Sequence, residues 1–586
     1  MVAIRCSPKL EKSMHDLIIR NGTVIDGSGM PRYVGDIAID NGKITSVGKV
    51  DGVAAEELDA SGKLVTPGWV DIHTHYDGQA TWDPLLAPSS WHGVTTVVMG
   101  NCGVGFAPVK PKDRNFLIEL MEGVEDIPGA ALSEGIDWQW ETFPEYLDSL
   151  ESMPRVMDIA TQVPHGAVRA YVMGDRCNKD YAPTQDEIQQ MSDLVREGVE
   201  AGAMGFSSSK TLLHKDVHGE YMPGTFAGSD EMLQLGLGMK DMDHAIFELV
   251  SDNLGDDNEW SWIKDFGEQT GLPMTLIATS QEAYIDGKIY KIAEEARLEG
   301  REIRPQMAGR PTGVLHGLQS NFHAFVGHPT YASQLAGLDH NALVERMSDP
   351  AVKAQILSEK SLINSGIMKD IEKILSIVFP LGEKPNYEPE YKDSVAGIAE
   401  SKAMSPMEVM YDLLIADNGK ELFYQPLGSY ENYNLDAHVK TMQHPNIVMG
   451  LSDGGAHCGV IADAGMPSFI MTHWGRDRKV GIKLELEFIV RSLTRTTAEA
   501  YGMLDRGLLK PGFIADINII DFDALQLHRP EAIFDLPAGG KRLVQRVDGY
   551  EATVKSGKVT FRKGEHTGAL PGQLVRRQKI DRSIAA

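Results

Sequence analysis

The chain of 586 residues carries 56 Lys and Arg against 83 Asp and Glu, a net charge of −27 that repels phosphate backbones and anionic lipid surfaces. Hydrophobic residues at 42% and charged residues at 24% are globular values, and the length exceeds one ordinary core. Nucleic acid is not expected as a partner, and neither is a membrane, since no stretch reaches about 18 consecutive apolar residues. Four cysteines, Cys6, Cys102, Cys177 and Cys458, make no disulfide framework, and Met1 to Met14 contain no continuous apolar core of a secretion signal. A cytoplasmic protein is expected.

Residues 15–62 read as short strands joined by glycine turns. Asp16 to Arg20 precedes Asn21-Gly22, Gly35 to Ile39 precedes Asp40-Asn41-Gly42, and Lys43 to Val47 follows; Asn-Gly between alternating runs is a hairpin signal. From Leu64 the pattern changes to apolar runs separated by helical stretches, the signature of β/α units and a parallel sheet. Eight runs qualify as strands: 64–71, 94–100, 158–163, 203–206, 245–250, 274–278, 303–307 and 446–452. The expected fold is α/β, a (β/α)8 TIM-like barrel over 64–505 with an insertion at about 311–440. Strands return at 514–521, 543–547 and 552–559, so residues 1–63 and 506–566 are expected to form a small β-sandwich subdomain built from both chain ends. The remaining tail, 567–586, reads as a mobile or partner-binding end.

Catalytic groups of such barrels gather at the carboxyl ends of the strands. The first apolar run ends in His73-Thr74-His75, and strand alternation points both imidazoles the same way, enough to grip one divalent ion. Asp71 and Asp77 bracket the pair. The second run leads into Asn101-Cys102-Gly103, which puts a thiol, a natural zinc ligand, at the mouth. The eighth delivers Asp453 before Gly454-Gly455, and a buried carboxylate there needs a partner such as a metal-activated water. His165, with Arg169 in the same stretch after the third run, is a candidate for substrate binding or for completing the coordination.

These stretches resemble the amidohydrolase superfamily, and within it the D-aminoacylase (N-acyl-D-amino-acid deacylase) branch. The likeness runs through Pro67 to Asp77, Gly100 to Pro108, His165 to Arg169, Gly202 to Ser207, Leu451 to Gly454 and Arg506 to Asp516, in that family's order. The resemblance implies that His73, His75 and Cys102 are metal ligands and that Asp453 is a ligand or the base that activates water. It also implies the β subdomain. Histidines customary after the fifth and sixth strands are absent, replaced by Phe247-Glu248-Leu249-Val250-Ser251-Asp252 and by Ala278-Thr279-Ser280-Gln281, which leaves Glu248 or Asp252 as substitutes. The usual basic clamp for a substrate carboxylate is missing, with Arg476 and Arg478 lying downstream.

The expected activity is therefore hydrolysis of a small-molecule amide assisted by zinc or another divalent transition metal, most simply as an N-acyl-amino-acid deacylase. Opening of a cyclic amide or lactone at the same site and an inactive scaffold are the alternatives. A homo-oligomer is compatible with the acidic loops.

Overall fold

The computed structural model describes residues 14–179, 182–254, 256–277, 287–363, 371–428, 430 and 432–577. Cys6, the stretch 278–281 and the end of the tail from 578 lie outside the described residues. The architecture is mixed α/β.

Both ends of the chain meet in one nine-stranded sheet. Met14–Val24 lies antiparallel to Tyr33–Asp40 and parallel to Val53–Asp59, while Leu64–Pro67 joins it to the late strands Ile517–Ile520, Tyr550–Lys555 and Lys558–Arg562. The hairpin at Asn41-Gly42 is as expected, with Asp40 opposite Lys43 and both turn residues at positive φ. Asn21-Gly22 is not a hairpin. Asn21, at φ 59°, lies at a register shift within one long strand, and a side chain on Gly22 would come within 2.3 Å of Val65 Cγ2.

The expected strand 64–71 is divided. Leu64–Pro67 belongs to the nine-stranded sheet, and Trp69–Asp71 begins a parallel sheet with Val94–Met99 and Asp158–Thr161. Gly68 makes the crossing, its amide donating to Asp516 O at 2.9 Å and its missing side chain leaving room for Thr95. A second parallel sheet runs Val163–Pro164, Gly205–Lys210, Ile246–Ser251, Met274–Ile277, Ile303–Met307, Val448–Met449. The third run thus serves both sheets, Asp158–Thr161 in one and Val163–Pro164 in the other. On the opposite flank Thr74 bridges Gly454.

Helices cover these strands where apolar residues recur at helical spacing. Gln185–Ala201 starts at a capping box of Thr184 and Glu187 and buries Ile188, Met191, Val195 and Val199. Residues of the long stretch between the strands Ile303–Met307 and Val448–Met449 have a core of their own, with Phe325, Leu343, Met347, Val409 and Leu414 packed together. That region touches the segment after Asp453, Asn321 N donating to Gly459 O at 2.8 Å. The tail is docked through Arg577: Gln573 N donates to Asp158 Oδ1 at 2.8 Å, Val575 N to Ile159 O at 2.7 Å, and Arg576 pairs with Asp148 and Glu151. Its described part, up to Arg577, is a strap across the strand starts.

Candidate metal centre

His73 and His75 stand in the extended segment just past Trp69–Asp71, pinned where Thr74 N donates to Val98 O at 3.1 Å and His75 N to Gly454 O at 2.8 Å. Alternation along that segment turns both rings inward, with centroids 5.4 Å apart. Cys102 follows Val94–Met99 through Gly100, where a side chain would lie 2.5 Å from Gln162 O, and Cys102 itself sits at φ 55°. Its thiol is 3.4 Å from His73 Nε2. Ligand atoms of His73, His75 and Cys102 all lie within 4.8 Å of one another. Asp453, at φ 49° after Val448–Met449, brings Oδ1 to 3.4 Å from His73 Nε2 and 3.8 Å from His75 Nε2.

The neighbours set the orientation of this group. His73 Nδ1 faces Gln306 Oε1 at 3.2 Å, and Gln306 Nε2 donates to Thr275 and Tyr501, which fixes the amide with its oxygen toward the ring. That arrangement puts the proton on Nδ1 and leaves the Nε2 lone pair facing Cys102 and Asp453. Glu248 Oε2 accepts from Cys102 N at 3.0 Å, while its Oε1 is buried without a hydrogen bond. Asp71 accepts from Ser452 Oγ and tethers the strand before Asp453.

Burial governs the charges. It holds His73 neutral, down to about 3, and pushes His75 well below its ordinary value. It raises Asp77 to about 7 and both Glu248 and Asp453 to about 8, and it raises Glu125 well above the carboxylate range. Desolvation and four nearby carboxylates push the Cys102 thiol up as well. Buried acids crowded around two neutral imidazoles and a thiol are costly without a cation, and the unpartnered Glu248 Oε1, Asp77 Oδ2 and His75 Nδ1 mark where the polar demand is unmet. Nitrogen and sulfur donors in this number fit zinc or a similar transition metal.

The family model described as "Amidohydrolase family" matches residues 56–561. The chain belongs to the amidohydrolase family. N-acyl-D-aspartate deacylase of Alcaligenes xylosoxydans xylosoxydans is 25% identical over 576 residues, covering 96% of this chain and 95% of that protein. D-aminoacylase of the same organism is 33% identical over 221 residues, 38% of this chain and 41% of that protein. The crystal structure of N-acyl-D-glutamate deacylase from Bordetella bronchiseptica, complexed with zinc and a phosphonate inhibitor, superposes with a TM-score of 0.61 at 22% identity, over 96% of this chain and 100% of that one. The two share a fold.

Within this amidohydrolase the remaining candidates fall elsewhere. His165 is fully buried, with Nδ1 2.8 Å from Ser208 Oγ and Nε2 3.1 Å from Glu231 Oε1. Arg169 pairs with the same Glu231 and donates to Cys177 O at 2.9 Å. Arg169 and Glu231 line a cavity of about 340 Å³ whose wall includes Met222 and Gly224. Asp252 caps the loop at Leu212 N and is not in the ligand group. Arg478 is paired with Glu388 and Asp436, Arg476 with Asp477, and Arg310, after the strand Ile303–Met307, with Asp463 at 2.6 Å. Sequence reasoning missed Gln306 and Glu125. Gln306 lies near the end of an expected strand and was within reach of the strand-end rule. Glu125 ends the helix Arg114–Glu125, and only its distant contact with His75 marks it out.

Proposed function

We propose that the protein is a metal-dependent hydrolase of a carbon–nitrogen amide bond, of the N-acyl-amino-acid deacylase kind. The observation that carries this is the convergence of His73, His75, Cys102 and Asp453 from three strand ends on one buried point. We infer that the two parallel sheets, joined by the third run and by the Thr74–Gly454 bridge, are arcs of one (β/α)8 barrel whose mouth holds that point. Residues 64–505 would then be the barrel with its insertion at about 311–440, and 1–63 with 506–566 the small β subdomain.

His73, His75 and Cys102 would hold the metal, with Asp453 beside them and Glu248 at the position where relatives of this type are expected to place a histidine. A divalent ion there supplies Lewis acidity and lowers the pKa of water from 15.7 toward about 7. Asp453 takes the proton of the attacking water at a carboxylate oxygen and delivers it to the leaving nitrogen, a task a carboxylate can perform in both directions. Gln306 keeps His73 in the tautomer that presents Nε2. Arg169 and His165, both engaged by Glu231, hold the wall of the cavity that Arg169 lines, and a substrate contact there would be made through that wall.

One observation favours a second substrate type. Arg310, Arg476 and Arg478 each face a carboxylate, so a substrate without a free carboxylate, such as a cyclic amide, suits the site as well. The test is elemental analysis of protein prepared without chelator, together with hydrolysis of N-acyl amino acids of both hands and of cyclic amides. Stoichiometric zinc and turnover of one series are expected, and His73→Ala or His75→Ala should lose metal and turnover together. Protein that holds no transition metal, or variants that keep a full complement, would sink the reading.

A further inference from the structure

We propose that Glu125 is a positioning residue of the metal centre, resting on the reading above: it orients His75 and fixes the loop that carries Asp453. Glu125 is the last residue of the helix Arg114–Glu125 and is 1% exposed. Its Oε1 lies 3.5 Å from His75 Nδ1, and its Oε2 lies 3.5 Å from His457 Nε2. One carboxylate therefore stands between a proposed ligand and a histidine four residues beyond Asp453.

The position is a poor one for an acid on local grounds. A helix carboxyl terminus already carries partial negative charge, which works against an acid at its last residue. The groups facing the two oxygens of Glu125 are imidazole nitrogens of His75 and His457, each at 3.5 Å. His75 Nδ1 is buried without a hydrogen bond among the described residues, and Glu125 Oε1, 3.5 Å away, is the acceptor in reach for its proton. Holding the proton on Nδ1 leaves Nε2, the nitrogen facing Asp453, free to bind metal, and a carboxylate behind a ligand imidazole also makes that imidazole a better donor.

The backbone reinforces the same link. His457 N donates to Glu125 O, and Gly459 N donates to Asp126 Oδ2 at 2.8 Å, with Asp126 turned into the left-handed region at φ 50°. Ala456 N closes a turn onto Asp453 O at 2.9 Å, so the segment clamped by the helix end begins at the proposed base. The helix reaches this spot from the stretch that follows Cys102. Glu125 thus ties three strand ends together without contributing a ligand itself.

The test compares wild-type protein with Glu125→Gln, which keeps the side chain's shape and replaces the carboxyl group by an amide. Zinc affinity is measured by competition with a chelator at fixed pH, and thermal unfolding is measured on the metal-free proteins. The expected result is zinc binding weakened about ten- to hundredfold, the usual effect of losing such a partner, with an unchanged metal-free midpoint. Unaltered zinc affinity would overturn the proposal. So would a metal-free midpoint that falls along with affinity, since that marks a merely structural role. If Glu125→Gln does not fold, His457→Gln replaces it, releasing the far side of the carboxylate: weakened zinc affinity supports the clamp, and unchanged affinity overturns it. Wild-type protein that takes up no zinc overturns the metal-centre reading together with this one, whereas equal binding by wild type and variant overturns this one alone.

Discussion

Asp453 is where the chemistry can be separated from the architecture by one atom. The residue sits at φ 49°, a conformation that Asn adopts as readily as Asp, so Asp453→Asn leaves the turn intact while removing the group that accepts a proton. We expect the variant to retain metal and to lose roughly 10²- to 10⁴-fold in kcat, the ordinary contribution of a general base. Bound metal, kcat and KM measured on one preparation decide it; near-normal kcat would reduce Asp453 to a turn residue. At this scale the sequence pointed to candidates at strand ends, His73, His75, Cys102 and Asp453, and the structure brings these four side chains together. The sequence was silent on Glu125, because the contact with His75 spans 50 positions and depends on where a helix stops, which no local pattern encodes.

Among the elements, the division at Gly68 shows how a pattern can be correct and the object wrong. A run of apolar residues is buried throughout from Leu64 to Ile72, so periodicity gives no sign that the first part pairs with Ile517–Ile520 and the second with Val94–Met99. The long stretch between the strands Ile303–Met307 and Val448–Met449 offers a sharper test. Burial holds His316 down to about 4 and His323 down to about 3, and His323 Nδ1 accepts from Phe325 N, a bond that protonation would break. Their folded values lie below the ordinary 6.5, so the unfolded chain binds more protons between about pH 4 and 6.5. Stability must fall as pH drops through that window, by up to about 1.4 kcal/mol per pH unit for each histidine that stays neutral. The raised carboxylates Asp453 and Glu248 have the opposite sign, losing stability as pH rises from about 4 to 8 in metal-free protein. The two are distinguished by His323→Phe, which keeps a ring against Tyr331. Denaturant midpoints of metal-free wild type and variant between pH 7.5 and 5 should diverge, the variant falling less; parallel profiles would refute the assignment.

For the whole molecule, cohesion concentrates at the strand starts, away from the proposed metal centre. Asp158 accepts from the buried Arg506 at 2.6 Å, from the buried Lys555 at 3.0 Å and from the tail amide of Gln573 at 2.8 Å. Three parts of the chain converge on one carboxylate. Removing it with Asp158→Asn strands the Arg506 charge in the interior, so we expect a loss of about 3–5 kcal/mol in unfolding free energy with kcat of the folded fraction retained. A urea midpoint unchanged from wild type would show that the network is dispensable. The sequence indicated that both ends of the chain build a β unit, from turn signals alone. It did not indicate the docked tail, whose backbone hydrogen bonds to Ile159 and Gly202 need no particular side chains and so leave no pattern to read.

The pairing of Leu64–Pro67 with Ile517–Ile520 also sets a clock. On the ribosome the early strand emerges roughly 450 residues before its partner, and at about 5–20 residues per second that is a wait of roughly 20–90 s. Throughout that interval the hydrogen-bonding edge destined for the late strands is bare, and an unpaired edge is a template for any other chain nearby. Met14–Val24 and its neighbours can form early, but the sheet cannot close until synthesis has passed Arg562. Yield in a heterologous host should therefore respond to chaperones that shield nascent chains more than to stabilising changes near the proposed metal centre.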